Sequence, residues 1–192
     1  MLILIAGLVI FFAAHSLSIV PGGRAAVAGR FGETGTKAIA GILSLVGLVL
    51  IVWGVGAARA SGVPVLWTPP TWLRHVAFLL LLPVFPLLIA AYVPGRIRAV
   101  VKHPMITAVK LWALAHLLVN GTLMDAFLFG GFLLWGILDR ISLKRRGAPN
   151  PAPVAGFTTG DWVALVGGLV LYALMLWRGH QILIGVSPFA PM

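Results

Sequence analysis

The sequence predicts an all-α fold, a polytopic membrane helix bundle with about six transmembrane helices. The chain has 192 residues, of which 60% are hydrophobic and only 9% are charged. A soluble domain of this size carries far more charge on its surface. The long apolar runs approach the ~20 residues that cross a ~30 Å hydrocarbon core. Because the runs are continuous and do not alternate, they indicate helices.

The apolar runs define the predicted spans and their order. The fourth span is short, because Pro104 precedes it and the Asn120-Gly121 turn ends it. The first run lacks the basic n-region and small-residue cleavage site of a signal peptide, so we interpret it as a helix. Residues 1–192 are predicted to form a single transmembrane domain. The spans lie at about 2–20, 37–57, 73–93, 105–119, 122–139 and 161–178.

Basic side chains concentrate in alternate loops of this arrangement. They cluster after spans one, three and five, whereas only Arg59 and Arg74 follow span two. The positive-inside rule makes the clustered loops cytoplasmic and places both termini outside. The net charge of +10 is therefore interpreted as a topology signal, and no nucleic-acid partner is expected. The expected partner is the lipid bilayer.

Two histidines lie inside predicted spans. His15 is in the first span, and His116 is in the fourth, on one helical face with Trp112 and Asn120 by i, i+4 spacing. Polar and ionisable groups at membrane depth are costly and by default indicate a functional site. Each histidine suits a metal or haem ligand and equally suits a buried, hydrogen-bonded side chain. Spacing alone leaves both interpretations open.

His103 is predicted to lie apart from His116. The thirteen residues between their positions correspond to roughly 20 Å along a helix and about 220° around it. His103 instead belongs with Thr107 and Lys110 at the cytoplasmic end of the fourth span. The His103-Pro104 pair most simply starts a helix, with proline at its first position. His103 and Lys110 are kept as further candidates.

Composition excludes several other kinds of site. With no cysteine and four acidic residues, the chain cannot build a disulfide, a thiolate-ligated metal, a di-iron cluster or an HExxH zinc site. Asp161 is expected to cap the start of the last span. His75 and His180, at outer helix ends, are expected to be interfacial.

The segment Gly95–Gly121, GRIRAVVKHPMITAVKLWALAHLLVNG, carries a long and specific motif. Through it the chain resembles the NnrU family of bacterial membrane proteins. The resemblance extends to His15-Ser16 followed by Arg24, to FGGFLLWGILDR at 129–140 and to HQILIGVSPF at 180–189. It implies a bacterial inner membrane protein linked to denitrification, that is, to nitrite and nitric oxide metabolism. Combined with the charge pattern, it implies periplasmic termini.

The family is similar to plant and cyanobacterial 15-cis-zeta-carotene isomerase, an integral membrane enzyme that uses haem b. By motif, this resemblance implies His15 and His116 as ligands of the haem iron, with Trp112 and Asn120 beside the second ligand. It also implies a haem-dependent isomerase or oxidoreductase activity, with a lipophilic small molecule as substrate. The basic residues available to the haem propionates are Arg24, Arg96, Arg98 and Lys102.

The sequence leaves two other functions open. The His-Pro-Met segment also resembles the RHPxY-type motif of membrane methyltransferases. Those enzymes carry acidic residues after the motif, and this chain has no glutamate after Glu33. The second is a non-enzymatic scaffold or assembly factor for respiratory enzymes, in which the histidines only form hydrogen bonds.

Overall fold

The computed structural model describes residues 1–190 and confirms the all-α fold. An isolated antiparallel bridge between Val65 and Thr122 is the β pairing found in this part of the chain. The helices are α1 (Leu2–His15), α2 (Gly23–Ser61), α3 (Leu73–Leu81), α4 (Val84–Ala90), α5 (Arg96–Val101), α6 (Pro104–Val119), α7 (Leu123–Arg145), α8 (Thr159–Leu174), a π-helical turn (Met175–Gly179) and α9 (His180–Ile184).

The structure is that of a multi-pass membrane protein. Within residues 1–190, four helical stretches are long and apolar enough to cross a membrane, and α1 and α6 are shorter apolar helices. Every predicted span thus corresponds to an apolar helix, and the short fourth span is confirmed as α6. The four longer stretches are Gly23–Ser61, Leu73–Ala90, Leu123–Arg145 and Thr159–Ile184.

Several span boundaries differ from the prediction, among them the start of α2, which lies at Gly23 and not near residue 37. The first helix ends at His15 and not at residue 20, because a turn runs to Gly22, whose positive φ of 72° ends the helical path. The third span is divided at Leu82-Pro83 into α3 and α4. A proline inside a helix has no N–H to donate and clashes with the preceding turn, so it interrupts an otherwise apolar run.

The described chain divides into two compact units. The first contains Met1–Leu66 and Thr122–Arg146, and therefore α1, α2 and α7. The second contains Trp67–Gly121 and the described residues from Gly147 onward, and therefore the remaining helices. The prediction of a single transmembrane domain stays a prediction.

Small residues bring α1 and α2 together in the first unit. A Cβ on Gly7 would lie 2.7 Å from the Ile51 nitrogen, and one on Gly47 would lie 2.7 Å from the Phe11 nitrogen. In a membrane, no hydrophobic driving force brings apolar helices together, because lipid tails are as apolar as the side chains. The helices associate through van der Waals packing, and small residues allow the backbones to approach this closely. The buried apolar core here consists of Leu4, Leu8, Ile51, Ala58 and Met124.

A buried carboxylate, Asp161, caps two helices of the second unit. In the capping box of α8 it accepts hydrogen bonds from the Thr158 nitrogen at 2.8 Å and hydroxyl at 2.9 Å. It also accepts from the nitrogens of Arg96 at 2.9 Å and Ile97 at 2.7 Å, which begin α5. The first N–H groups of a helix have no intrahelical partner, so this carboxylate supplies one to both helices. The predicted cap is confirmed.

The end of α6 is also fixed locally. Val119 is the last helical residue, and Asn120 has extended backbone, which confirms the predicted turn. The Trp67 nitrogen donates to the Gly121 carbonyl at 3.2 Å, and a Cβ on Gly121 would overlap the Trp67 side chain. Only glycine lets this tryptophan lie against the turn.

We predict that Gly95→Ala destabilises the protein by about 1–3 kcal/mol, because its Cβ would lie 2.5 Å from an Asp161 carboxylate oxygen and force a tightly packed contact to move. The free energy of unfolding, measured by titrating folded protein in mixed micelles with a denaturing detergent, tests this. Gly56→Ala is the control, since its Cβ would meet nothing within 4 Å. Equal stability of the two variants would contradict the double cap.

Candidate functional site

His116 is oriented by its own helix. Its Nδ1 lies 2.8 Å from the Trp112 carbonyl oxygen, one turn earlier, and the two rings have centroids 5.2 Å apart. A carbonyl only accepts, so Nδ1 carries the proton, and in the neutral imidazole Nε2 holds the lone pair. The Asn120 side-chain amide donates to the His116 carbonyl at 2.8 Å. The predicted shared face of Trp112, His116 and Asn120 is confirmed.

A second imidazole, that of His180, lies beside His116. The ring centroids are 6.4 Å apart and the ring planes differ by 18°. The Nδ1 of His180 donates to the Val186 carbonyl oxygen at 2.6 Å, so this ring has the same tautomer as His116. Both histidines belong to the second unit.

Sequence reasoning missed this pair because the contact joins distant parts of the chain. The sequence predicts only an interfacial position for His180. Two local features fix its position: the π-helical turn Met175–Gly179 directly before it, and Gly185, whose φ of 79° turns the chain back toward the imidazole. A π-helical turn places an extra residue in the helix and changes which face a following side chain occupies, and such turns are frequent at functional sites. Sequence periodicity carries no clear sign of it.

His15 ends α1 in the first unit and shows the same local bond. Its Nδ1 lies 2.9 Å from the Phe11 carbonyl oxygen, one turn earlier, and 3.5 Å from the Ser44 hydroxyl. The imidazole stacks on the Phe11 ring at 4.1 Å, and the Trp135 ring meets it edge-on at 5.8 Å. The imidazole is exposed where α1 gives way to the following turn. Its tautomer again leaves the lone pair on Nε2.

His103 and Lys110 remain separate from this histidine pair along α6. His103 is the N-cap of α6 with Pro104 at the first position, and its carbonyl accepts from the Thr107 hydroxyl at 3.1 Å. The predicted helix start is confirmed. Lys110 is half-buried, about 9 Å of helix rise before His116.

The candidate propionate partners fall into both units. In the first, the Arg24 guanidinium pairs with the Glu33 carboxylate at 2.6 Å. In the second, Arg96 and Arg98 lie on α5, and Lys102 follows it with a positive φ of 67°. These three precede α6, whose first residue is about 18 Å of helix rise from His116. Lys110 is therefore closer to His116 along the α6 axis than Lys102 is.

The acidic residues serve structural roles. Asp125 and Asp161 complete capping boxes at the starts of α7 and α8. Glu33 pairs with Arg24, and Asp139 lies 3.8 Å from Arg146. No group of three or more histidine, aspartate or glutamate side chains within residues 1–190 is placed to hold a metal ion.

This donor set fits haem better than a bare metal ion. Protein sites for a bare transition metal usually supply three or four side-chain ligands. Haem supplies most of the iron's ligands from its own ring and takes axial imidazoles from the protein. A ligating histidine normally donates its other ring N–H to a carbonyl, carboxylate or water. His15, His116 and His180 each make that bond.

The fold and these imidazoles define a multi-pass helical membrane protein with histidines oriented by main-chain carbonyls. Residues 3–188, nearly the whole chain, match the family described as NnrU protein. The chain belongs to that family, which confirms the resemblance and supports a membrane protein linked to denitrification. The searches of curated proteins and of solved structures gave no match.

Proposed function

We propose that this NnrU-family membrane protein binds haem b and acts in nitrite or nitric oxide metabolism at the inner membrane, with His116 as an axial ligand. One observation carries the proposal. The half-buried imidazole sits in an apolar helix with its Nδ1 proton committed to the Trp112 carbonyl, so the lone pair for iron is on Nε2. Trp112 beside it offers a flat apolar surface.

His15 is the other histidine that we propose as a haem ligand. The NnrU resemblance implies it, and its bond to the Phe11 carbonyl supports it, because this bond gives the ring the tautomer of His116. The Phe11 ring stacks on the face of the imidazole, and the Trp135 ring packs against it edge-on. Replacing either aromatic residue would loosen the ring without removing the ligand.

When bound, haem b supplies one-electron redox chemistry. The protein's part is to orient the imidazoles, to surround them with apolar side chains and to place cations near the propionates. The cations of the second unit proposed for the propionates are Lys110 on α6, Arg96 and Arg98 on α5, and Lys102, which follows α5. The proposed activity is that of a haem-dependent oxidoreductase or isomerase, with a lipophilic substrate entering from the bilayer.

We predict that His116→Ala and His15→Ala each lower the haem-to-protein ratio by at least about tenfold while the protein still inserts into the membrane. The ratio is measured by a pyridine haemochrome assay on detergent-purified protein from haem-replete cells. His103→Ala is the matched control and is expected to retain haem, because its position at the start of α6 is separate from His116. Full haem retention in both ligand variants would contradict the assignment of His15 and His116 as ligands. Loss of haem in His103→Ala would instead place the haem site near the start of α6.

His180 is proposed as a positioning residue that acts through His116. We predict that His180→Ala retains haem but shifts the reduced α band and the midpoint potential, because its ring centroid lies 6.4 Å from that of the His116 imidazole. His75→Ala is the control and is expected to leave both values unchanged. If His180→Ala loses haem as completely as His116→Ala while His15→Ala retains it, His180 is the second ligand.

A further inference from the structure

The short first helix leaves space in the first unit. The 14 residues of α1 rise about 21 Å, less than the ~30 Å of a hydrocarbon core. Beside the turn that follows α1 lies a cavity of about 810 Å³. Its walls come from this turn, from the start of α2 and from the last turns of α7, and we call it the α1 notch.

The lining of the α1 notch is amphipathic. Three arginines line it, together with one acidic residue, Glu33, and the apolar residues Leu138 and Ile141. Both of these apolar side chains are more than two-fifths exposed, on a helix that is long and apolar enough to cross a membrane. The arginines are Arg24, Arg145 and Arg146.

The notch is held in shape by hydrogen bonds to the turn from Ser142 of α7 and from Arg146, which directly follows α7. The Arg146 Nη1 donates to the Ser18 carbonyl at 2.5 Å, and the Ser142 hydroxyl donates to the Ile19 carbonyl at 3.4 Å. Irregular backbone near the membrane is tolerated only when its polar groups find partners. These bonds supply partners and also fix the Arg146 guanidinium at the wall of the notch.

The charges of the notch are unequally compensated. The Arg24 guanidinium is already paired with Glu33 at 2.6 Å, and Arg146 lies 3.8 Å from Asp139. Arg145 forms no ion pair with any residue in the described range 1–190. The lining therefore keeps an excess of positive charge next to an exposed apolar wall.

We propose that the α1 notch binds an anionic glycerophospholipid. Its phosphate would contact the arginines, because guanidinium groups bind phosphate oxygens through paired hydrogen bonds. An acyl chain would cover Leu138 and Ile141 and fill the depth that α1 does not reach. Basic pockets between transmembrane helices at the cytoplasmic side are sites for anionic headgroups, and the charge pattern of this chain predicts that side for the notch. The headgroup of a zwitterionic lipid carries a cation that the arginines repel, so we expect such a lipid to bind more weakly.

Native mass spectrometry of delipidated, detergent-purified protein tests the proposal. Phosphatidylglycerol is expected to bind at least about fivefold more tightly than phosphatidylcholine of the same acyl chains. Arg145→Gln is expected to weaken phosphatidylglycerol binding by about fivefold, since each basic side chain contributes about that factor near an anionic surface. Lys144→Gln is the matched control, because Lys144 neighbours Arg145 on α7 but does not line the notch.

A second variant keeps the test valid if the arginine variant folds poorly. Glu33→Gln removes the carboxylate that holds Arg24, so it is expected to strengthen phosphatidylglycerol binding. Inorganic phosphate, added as a competitor at millimolar concentration, is expected to displace little lipid, because it lacks acyl chains.

Three results would overturn the proposal. Equal affinity for the two lipids would show that charge does not select the occupant. Equal weakening by Lys144→Gln and Arg145→Gln would assign the effect to general surface charge. Displacement of the lipid by phosphate alone would make the notch a simple anion site. None of these outcomes depends on haem content, so this test is independent of the proposed function.

Discussion

The second unit depends on one buried carboxylate that satisfies the starts of two helices. Asp161 bonds the first N–H groups of α5 while completing the capping box of α8. Backbone polar groups near a membrane need protein partners, because hydrocarbon offers none. The chain runs from α5 through Lys102 and His103 directly into α6. The same carboxylate therefore anchors the approach to the helix that carries His116.

Local hydrogen bonds then determine what the histidines can do. A bond from Nδ1 to a main-chain carbonyl fixes both the ring orientation and the nitrogen that keeps a lone pair. His15 and His116 obtain this bond from the residue one turn earlier in the same helix, so the two proposed ligands are prepared by helix geometry alone. His180 obtains it from Val186, across a turn at Gly185. A few hydrogen bonds therefore set the orientation of these three imidazoles in a largely apolar chain.

The sequence predicted the features that are local and failed where distant contacts decide. Continuous apolar runs predict helices, His103-Pro104 predicts a helix start and Asn120-Gly121 predicts a helix end, because each depends on a few neighbouring residues. The turn after α1 accepts hydrogen bonds from Ser142 and Arg146, which are more than a hundred residues away in the chain. The approach of His180 to His116 and the second helix capped by Asp161 are likewise tertiary contacts. No periodicity encodes them.

The most direct test of the central claim is the absorption spectrum of the purified wild-type protein, recorded oxidised and after dithionite reduction. An imidazole-ligated haem b predicts a Soret band with sharp reduced α and β bands and near-stoichiometric haem. A colourless protein from haem-replete cells would contradict the account. The histidines would then serve only as hydrogen-bonded side chains of a membrane scaffold.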